Sequence, residues 1–272
     1  MHDLRAYLGP DAAAGLIAGV LTVNLAVAAA ILAVAVARVP VRRLFGPALA
    51  YQLWLAPPVV GLLAILLVFV PTDSDIGSVA AASHTPQLGL LAPVWALGGL
   101  LMATLFGIAQ ARFLAQVRAG CAGPAVVGFI APRIILPADD GRYSADEREL
   151  IRAHERVHIA RKDPRGAAFV AIFQCVCWFN PFAHLAAHLL RLDQELACDA
   201  AVVMNRPGCR SLYARTLLKT QLAGALLPFG CYWPARGRHP LEVRIAALKR
   251  RPDHGRSGGA VVIHAPVDAI RP

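Results

Sequence analysis

From Ala12 to Ala37 the chain runs 26 residues without an Asp, Glu, Lys or Arg. A stretch that long and that apolar has one stable solution in a bilayer. It forms a helix that satisfies its own N–H and C=O groups and crosses a hydrocarbon core about 30 Å thick. It is too long for the apolar core of a signal peptide, and no basic segment leads into it, since Arg5 sits between Asp3 and Asp11. A second run spans Leu44 to Val70, interrupted by a kink at Pro57-Pro58, and a third spans about Leu88 to Ile108 with Trp95 toward its start. Residues 1–111 therefore read as a membrane region with three helices at about 12–37, 46–70 and 88–108. The composition agrees, with 57% hydrophobic and only 16% charged residues in 272.

Charge sets the orientation. Arg38, Arg42 and Arg43 follow the first run, and Arg112, Arg118 and Arg133 follow the third. The loop between the second and third, with Asp73 and Asp75, has no base. The positive-inside rule then puts the amino terminus outside and everything after Arg112 in the cytoplasm of an inner-membrane, multi-pass protein. In such a chain the net charge of +10 is expected to meet membrane lipid, and nucleic acid is not expected as a direct partner. Cys121, Cys175, Cys177, Cys198, Cys209 and Cys231 form no C-x-x-C pair and read as reduced thiols.

Residues 124–137 are β-rich and cut by Gly128, Pro132 and Pro137, which predicts two short strands as a hairpin or edge strand. Ser144-Ala-Asp-Glu147 is a capping box, so a helix starts near Ala145 and ends near Asp163-Pro164. Residues 166–190 again lack charge, but Asn180-Pro181 breaks them. An interfacial or buried hairpin is expected, with a second helix from about Phe182 to Met204; a fourth crossing is the alternative. Helices at about 211–227 and 239–248 follow, then a weakly ordered tail. The divisions expected are a functional domain over 112–228 and a short helix with tail over 229–272.

The chemistry concentrates in His154-Glu155-Arg-Val-His158. Histidines four apart share one helix face and can bind one metal ion, and the adjacent glutamate can serve as general base toward water. A third ligand is sought in Leu192-Asp-Gln-Glu-Leu-Ala-Cys-Asp199, where Glu195 and Asp199 also share a face. One can bind metal while the other accepts a hydrogen bond from a ligand histidine. Tyr213, His184 and His188 are candidates for stabilising an oxyanion. Cys198 reads as a packing residue, because a catalytic zinc site keeps its fourth position open.

The order H-E-x-x-H, Arg161-Lys162-Asp163, Trp-Phe-Asn-Pro181 and Glu-Leu-Ala-Cys-Asp199 resembles the BlaR/MecR-type membrane zinc metallopeptidases, the antirepressor proteases of β-lactam resistance. The likeness runs from about Pro124 to Met204. It implies a mainly α protein: polytopic membrane helices followed by a cytoplasm-facing, gluzincin-like helical metallopeptidase domain with a small β hairpin. It further implies Zn2+ held by His154, His158 and Glu195, with Glu155 as general base and acid and Asp199 behind a ligand. The partners it implies are a cytoplasmic protein substrate, such as a transcriptional repressor, and membrane lipid. A second copy of the chain in a homodimer stays open. The antibiotic-sensing members carry a further membrane helix and a large extracellular penicillin-binding domain. This chain reaches Pro272 with neither, and it contains no S-x-x-K motif, so direct β-lactam sensing is not expected. The rival reading is a non-catalytic membrane signalling or scaffold protein with a structural zinc site.

Overall fold

The computed structural model describes residues 10–69, 91–128, 130–136, 139–222 and 240–249. The acidic loop at 71–75, the start of the third apolar run, Cys231, Trp233, the end of the 211–227 helix and the tail after 249 lie outside these residues. Helix α1 spans Pro10–Phe45, α2 Pro47–Gln52, α3 Ala56–Phe69 and α4 Leu91–Arg118. Strands β1 (Ala125–Val127) and β2 (Arg133–Ile135) follow. Then come α5 (Ala145–Ala160), α6 (Asp163–Val176), α7 (Pro181–Asn205), α8 (Arg210–Leu222) and α9 (Pro240–Lys249).

Among the described residues three segments are long and apolar enough to cross a membrane: Ala18–Phe45, Pro47–Val68 and Pro93–Arg118. Large apolar side chains on their surfaces, such as Leu67 at 78% and Leu97 at 68%, are exposed. That suits faces whose solvent is lipid. Two details differ from the sequence expectation. Arg38, Arg42 and Arg43, expected after the first helix, lie in the last turns of α1, which continues through Pro40. The break in the second run falls at a 3-10 turn, Leu53–Leu55, just ahead of Pro57-Pro58. Pro57 has no N–H to give to the Leu53 carbonyl, and the Ala56 N–H takes that acceptor instead.

The hairpin forms as expected: β1 and β2 are antiparallel, with Ala125 opposite Ile135 and Val127 opposite Arg133. Gly128 turns it at φ +93°, where a side chain would also meet the Ala131 carbonyl. The capping box is present too. Ser144 Oγ accepts from the Glu147 N–H at 3.2 Å, and Glu147 Oε2 accepts from the Ser144 N–H at 2.8 Å. Lys219 of α8 then ties Glu147 down, with Nζ 2.8 Å from Oε2.

The uncharged stretch after Gly166 becomes the hairpin α6–α7, with Asn180 Oδ1 capping α7 through the Phe182 N–H at 2.9 Å. Neither arm is among the candidate membrane spans, and α6 has only 14 residues. Helix α7 is the hub of the fold. One side packs with α1 and the 3-10 turn, burying Val27, Ile31, Val34 and Trp54. Another packs with α5, α8 and α9, burying Leu150, Val202, Val203, Tyr213, Leu217 and Leu248. The α1 contact has a charged centre. Asp193, fully buried, accepts from Arg38 Nη1 at 2.9 Å, Arg42 Nη1 at 3.3 Å and Trp54 Nε1 at 2.9 Å. The arginines in the last turns of α1, with Trp54, therefore bond the apolar helices to α7.

Candidate metal centre

Helix α5 presents His154, Glu155 and His158 to the interior, where all three are buried. The imidazole Nε2 atoms of His154 and His158 lie 3.0 Å apart. Glu195 of α7 closes the group, with Oε2 3.3 Å from His154 Nε2 and Oε1 3.7 Å from His158 Nε2. The structure thus brings together the three side chains expected to bind metal.

The partners on the far side of each ring show what the Nε2 atoms can be. His158 Nδ1 is 2.8 Å from Asp163 Oδ2, and burial of Asp163 is outweighed by its neighbours, His158 first, which hold it as a carboxylate. A carboxylate only accepts, so His158 Nδ1 carries the proton. Tyr213 donates its single proton to Asp199 Oδ1 at 2.6 Å, so at 2.8 Å from His154 Nδ1 its oxygen accepts. His154 Nδ1 is therefore protonated as well. Two Nε2 atoms and a carboxylate then converge on one point, each able to offer a lone pair to a cation. Such a donor set fits a metal ion, which takes the place of any proton the Nε2 atoms hold.

The charges around the set agree. Burial would raise the Glu195 carboxyl, but the Arg244 guanidinium, 3.0 Å away, and the two histidines hold it well below the usual range. Arg244 also grips Asp199 with two bonds, Nε to Oδ2 at 2.8 Å and Nη2 to Oδ1 at 2.7 Å. Burial opposes a charge on His158, yet Cys198, Asp163 and Glu195 raise its pKa well above the ordinary value, so the spot favours positive charge. Burial raises the Glu155 carboxyl, while both histidines and Arg244 pull it back.

Several sequence expectations change here. Asp199 was expected to accept directly from a ligand histidine. It is 3.6 Å from His154 Nδ1, and the Tyr213 hydroxyl bridges the two. Tyr213, offered for an oxyanion, is buried behind His154 with its proton committed to Asp199. His184 instead bonds the Trp178 carbonyl at 2.9 Å, at the α6–α7 turn. His188 feels the charge of Arg38, on the membrane side of α7. Cys198 is fully buried, with its sulfur 3.5 Å from His158 Nδ1 and 3.7 Å from Asp163 Oδ2. It thus sits on the side of the ring away from His154 and Glu195.

Two site residues were not anticipated. The sequence places Asp163 at the end of a helix. The turn at Lys162, with φ 60°, instead ends α5 and starts α6, bringing Asp163 beneath His158. Arg244 falls in the short helix expected at 239–248, outside the functional domain expected over 112–228, and only the packing of α9 on α7 and α8 brings it in. A spacing signal was available for Asp163, five residues after His158, but none for Arg244.

The model of the BlaR1 peptidase M56 family matches residues 110–248, just over half of the chain. The chain belongs to the BlaR1 peptidase M56 family. The match contains every residue of the centre and extends past the Pro124–Met204 likeness to include α9. Regulatory protein BlaR1 of Bacillus licheniformis is 38% identical over 80 residues, a stretch that is 29% of this chain and 13% of that protein. No solved structure gives a significant match. Family membership and the three apolar helices make this a membrane protein of a signalling metallopeptidase family, one whose members depend on metal.

Proposed function

We propose that the chain is a zinc-dependent endopeptidase of the inner membrane that cuts a cytoplasmic protein, a transcriptional repressor being the substrate class that the family resemblance suggests. The observation that carries this reading is the convergence of His154 Nε2, His158 Nε2 and Glu195 on one point, with both Nδ1 protons committed elsewhere. Bound zinc would supply Lewis acidity toward water and the scissile carbonyl. Glu155, its proton affinity raised by burial, takes the proton of the attacking water and returns it to the leaving amine. Arg244 keeps Glu195 ionised, and Asp163 and Tyr213 hold the two rings. The β1–β2 hairpin packs against α5 and leaves strand edges on which an extended substrate can add by backbone pairing.

The cytoplasmic placement rests on charge. Arg38 and Arg42 bond to Asp193, two residues from Glu195, so the basic end of α1 and the centre lie on the same side of the membrane. A scaffold role with a structural zinc site is disfavoured, since Cys198, the sulfur at hand, faces the wrong side of His158 to complete a closed four-ligand shell.

Glu155→Gln tests the proposal. The variant should bind zinc with wild-type stoichiometry and lose about 100-fold or more in cleavage rate. New amino termini in the cytoplasmic proteome, compared between cells carrying wild type and the variant, would identify the substrate. If both strains yield the same set, the peptidase reading fails. For the ligand set, Glu195→Ala should lower zinc affinity; an unchanged affinity removes Glu195 from it.

A further inference from the structure

The two histidines of the centre are held by one tyrosine and one aspartate each, in opposite order. His154 meets Tyr213 first and Asp199 behind it, both within the region of the family match. His158 meets Asp163 first, and the tyrosine behind that is Tyr51 of α2, inside the apolar span Pro47–Val68. The Tyr51 hydroxyl donates to Asp163 Oδ1 at 2.9 Å while Asp163 Oδ2 takes the His158 proton at 2.8 Å. Arg161, on the turn that carries Asp163, stacks its guanidinium carbon 4.2 Å from the centre of the Tyr51 ring. Asp163 itself is only 3% exposed, so water is a poor substitute for that donor.

We propose that Tyr51 is a positioning residue of the metal centre. Its hydroxyl fixes the Asp163 carboxylate and, through it, the tautomer and ring orientation of His158. The membrane region thereby completes the metal site of the peptidase portion. This rests on the reading that His154, His158 and Glu195 hold a metal ion. The physical reason is the freedom of a carboxylate. Its terminal torsion is soft, and a bond on only one oxygen lets the plane turn. Turning Oδ2 moves the acceptor that sets the His158 ring, and metal ligation tolerates displacements of only about 0.2 Å. Removing a group bonded directly to a ligand histidine costs about 10–100-fold in metal affinity. Tyr51 stands one bond further out, so about three- to tenfold is expected.

The full chain in detergent micelles, titrated with Co2+ alone, tests this. Dissociation constants come from competition with a chelator, and the visible absorption bands of Co2+ report ligand geometry directly. Tyr51→Phe keeps the ring under Arg161 and deletes only the hydroxyl. Trp54→Phe is the control. It deletes another bond between the membrane helices and α7, to Asp193 at 2.9 Å, and the Asp193 carboxylate bonds Arg38, Arg42 and Trp54 rather than His158. Tyr51→Phe should weaken Co2+ binding about three- to tenfold and shift the bands, while Trp54→Phe leaves both at wild-type values. Wild-type affinity and spectrum in Tyr51→Phe overturn the proposal. So does an equal change in both variants, which would make Tyr51 a docking contact only. A wild-type chain that binds no Co2+, or binds it equally well after His158→Ala, sinks the metal reading itself and this inference with it.

Discussion

Asp193→Ala should be the most destabilising single change at the junction of membrane helices and α7. The carboxylate is fully buried and receives Arg38, Arg42 and Trp54. Arg38 is 8% exposed, so without Asp193 it becomes a buried, unpaired charge, a defect that costs about 3–5 kcal/mol. The orphaned Trp54 N–H would cost about 1–3 kcal/mol alone. The two losses share one cavity and do not add. Arg42, with its side chain 21% exposed, can turn to water. A net loss of about 4 kcal/mol follows, which at roughly 2–4 °C per kcal/mol lowers the thermal midpoint by about 8–16 °C. The assay is helical circular dichroism of the chain in micelles during heating. Asp193→Asn keeps an oxygen for Arg38 and Trp54 and should lose about half as much. Arg38→Met combined with Asp193→Leu removes the charges together and should recover most of the loss. A midpoint for Asp193→Ala within about 2 °C of wild type would show that this network does not hold the helices together.

Three further outcomes are expected. In metal-stripped protein, burial raises the Glu155 carboxyl, so its ionisation costs stability once pH exceeds the ordinary 4.5. Glu155→Gln should therefore melt higher than wild type at pH 7, with the gap closing as pH falls toward 4.5, as read by thermal scans across pH. Glu195 has the opposite sign: its carboxyl is held below 4.5, so its contribution is intact above that value and is lost as pH falls through the lowered one. Arg244→Gln removes the main cause, and acid titration of the stripped protein should show unfolding at higher pH than wild type. Ser144→Ala removes the α5 cap and should cost about 1 kcal/mol, or about 2–4 °C, while zinc affinity measured by chelator competition stays put.

The sequence shows what is local. His154 and His158 on one face follow from helical periodicity, and Ser144 with Glu147 announces the helix that carries them. The uncharged runs need no partner to be read, because lipid alone dictates their form. What the sequence hides is direction. Helical spacing sets Glu195 and Asp199 on one face and Asp193, two residues earlier, nearly opposite, but it does not say what either side meets. Asp193 meets α1, whereas Glu195 meets α5. Deciding that requires knowing what packs on each side of α7. Tyr51 and Arg244 are harder still, reaching the site from helices 112 and 45 residues away from the aspartates they bond. Asp163-Pro164 misleads for a different reason: proline both follows one helix and begins the next, and the left-handed Lys162 decides between them.

The acids of α7 also differ in when their counter-charges are made. Arg38 and Arg42 are already in place when Asp193 leaves the ribosome, whereas Arg244 emerges 45 residues after Asp199, roughly two to nine seconds later. Through that interval Asp199 and Glu195 lack their guanidinium, and the two carboxylates resist burial side by side. That order of synthesis favours docking of α7 on α1 before α9 brings Arg244 to Asp199 and Glu195.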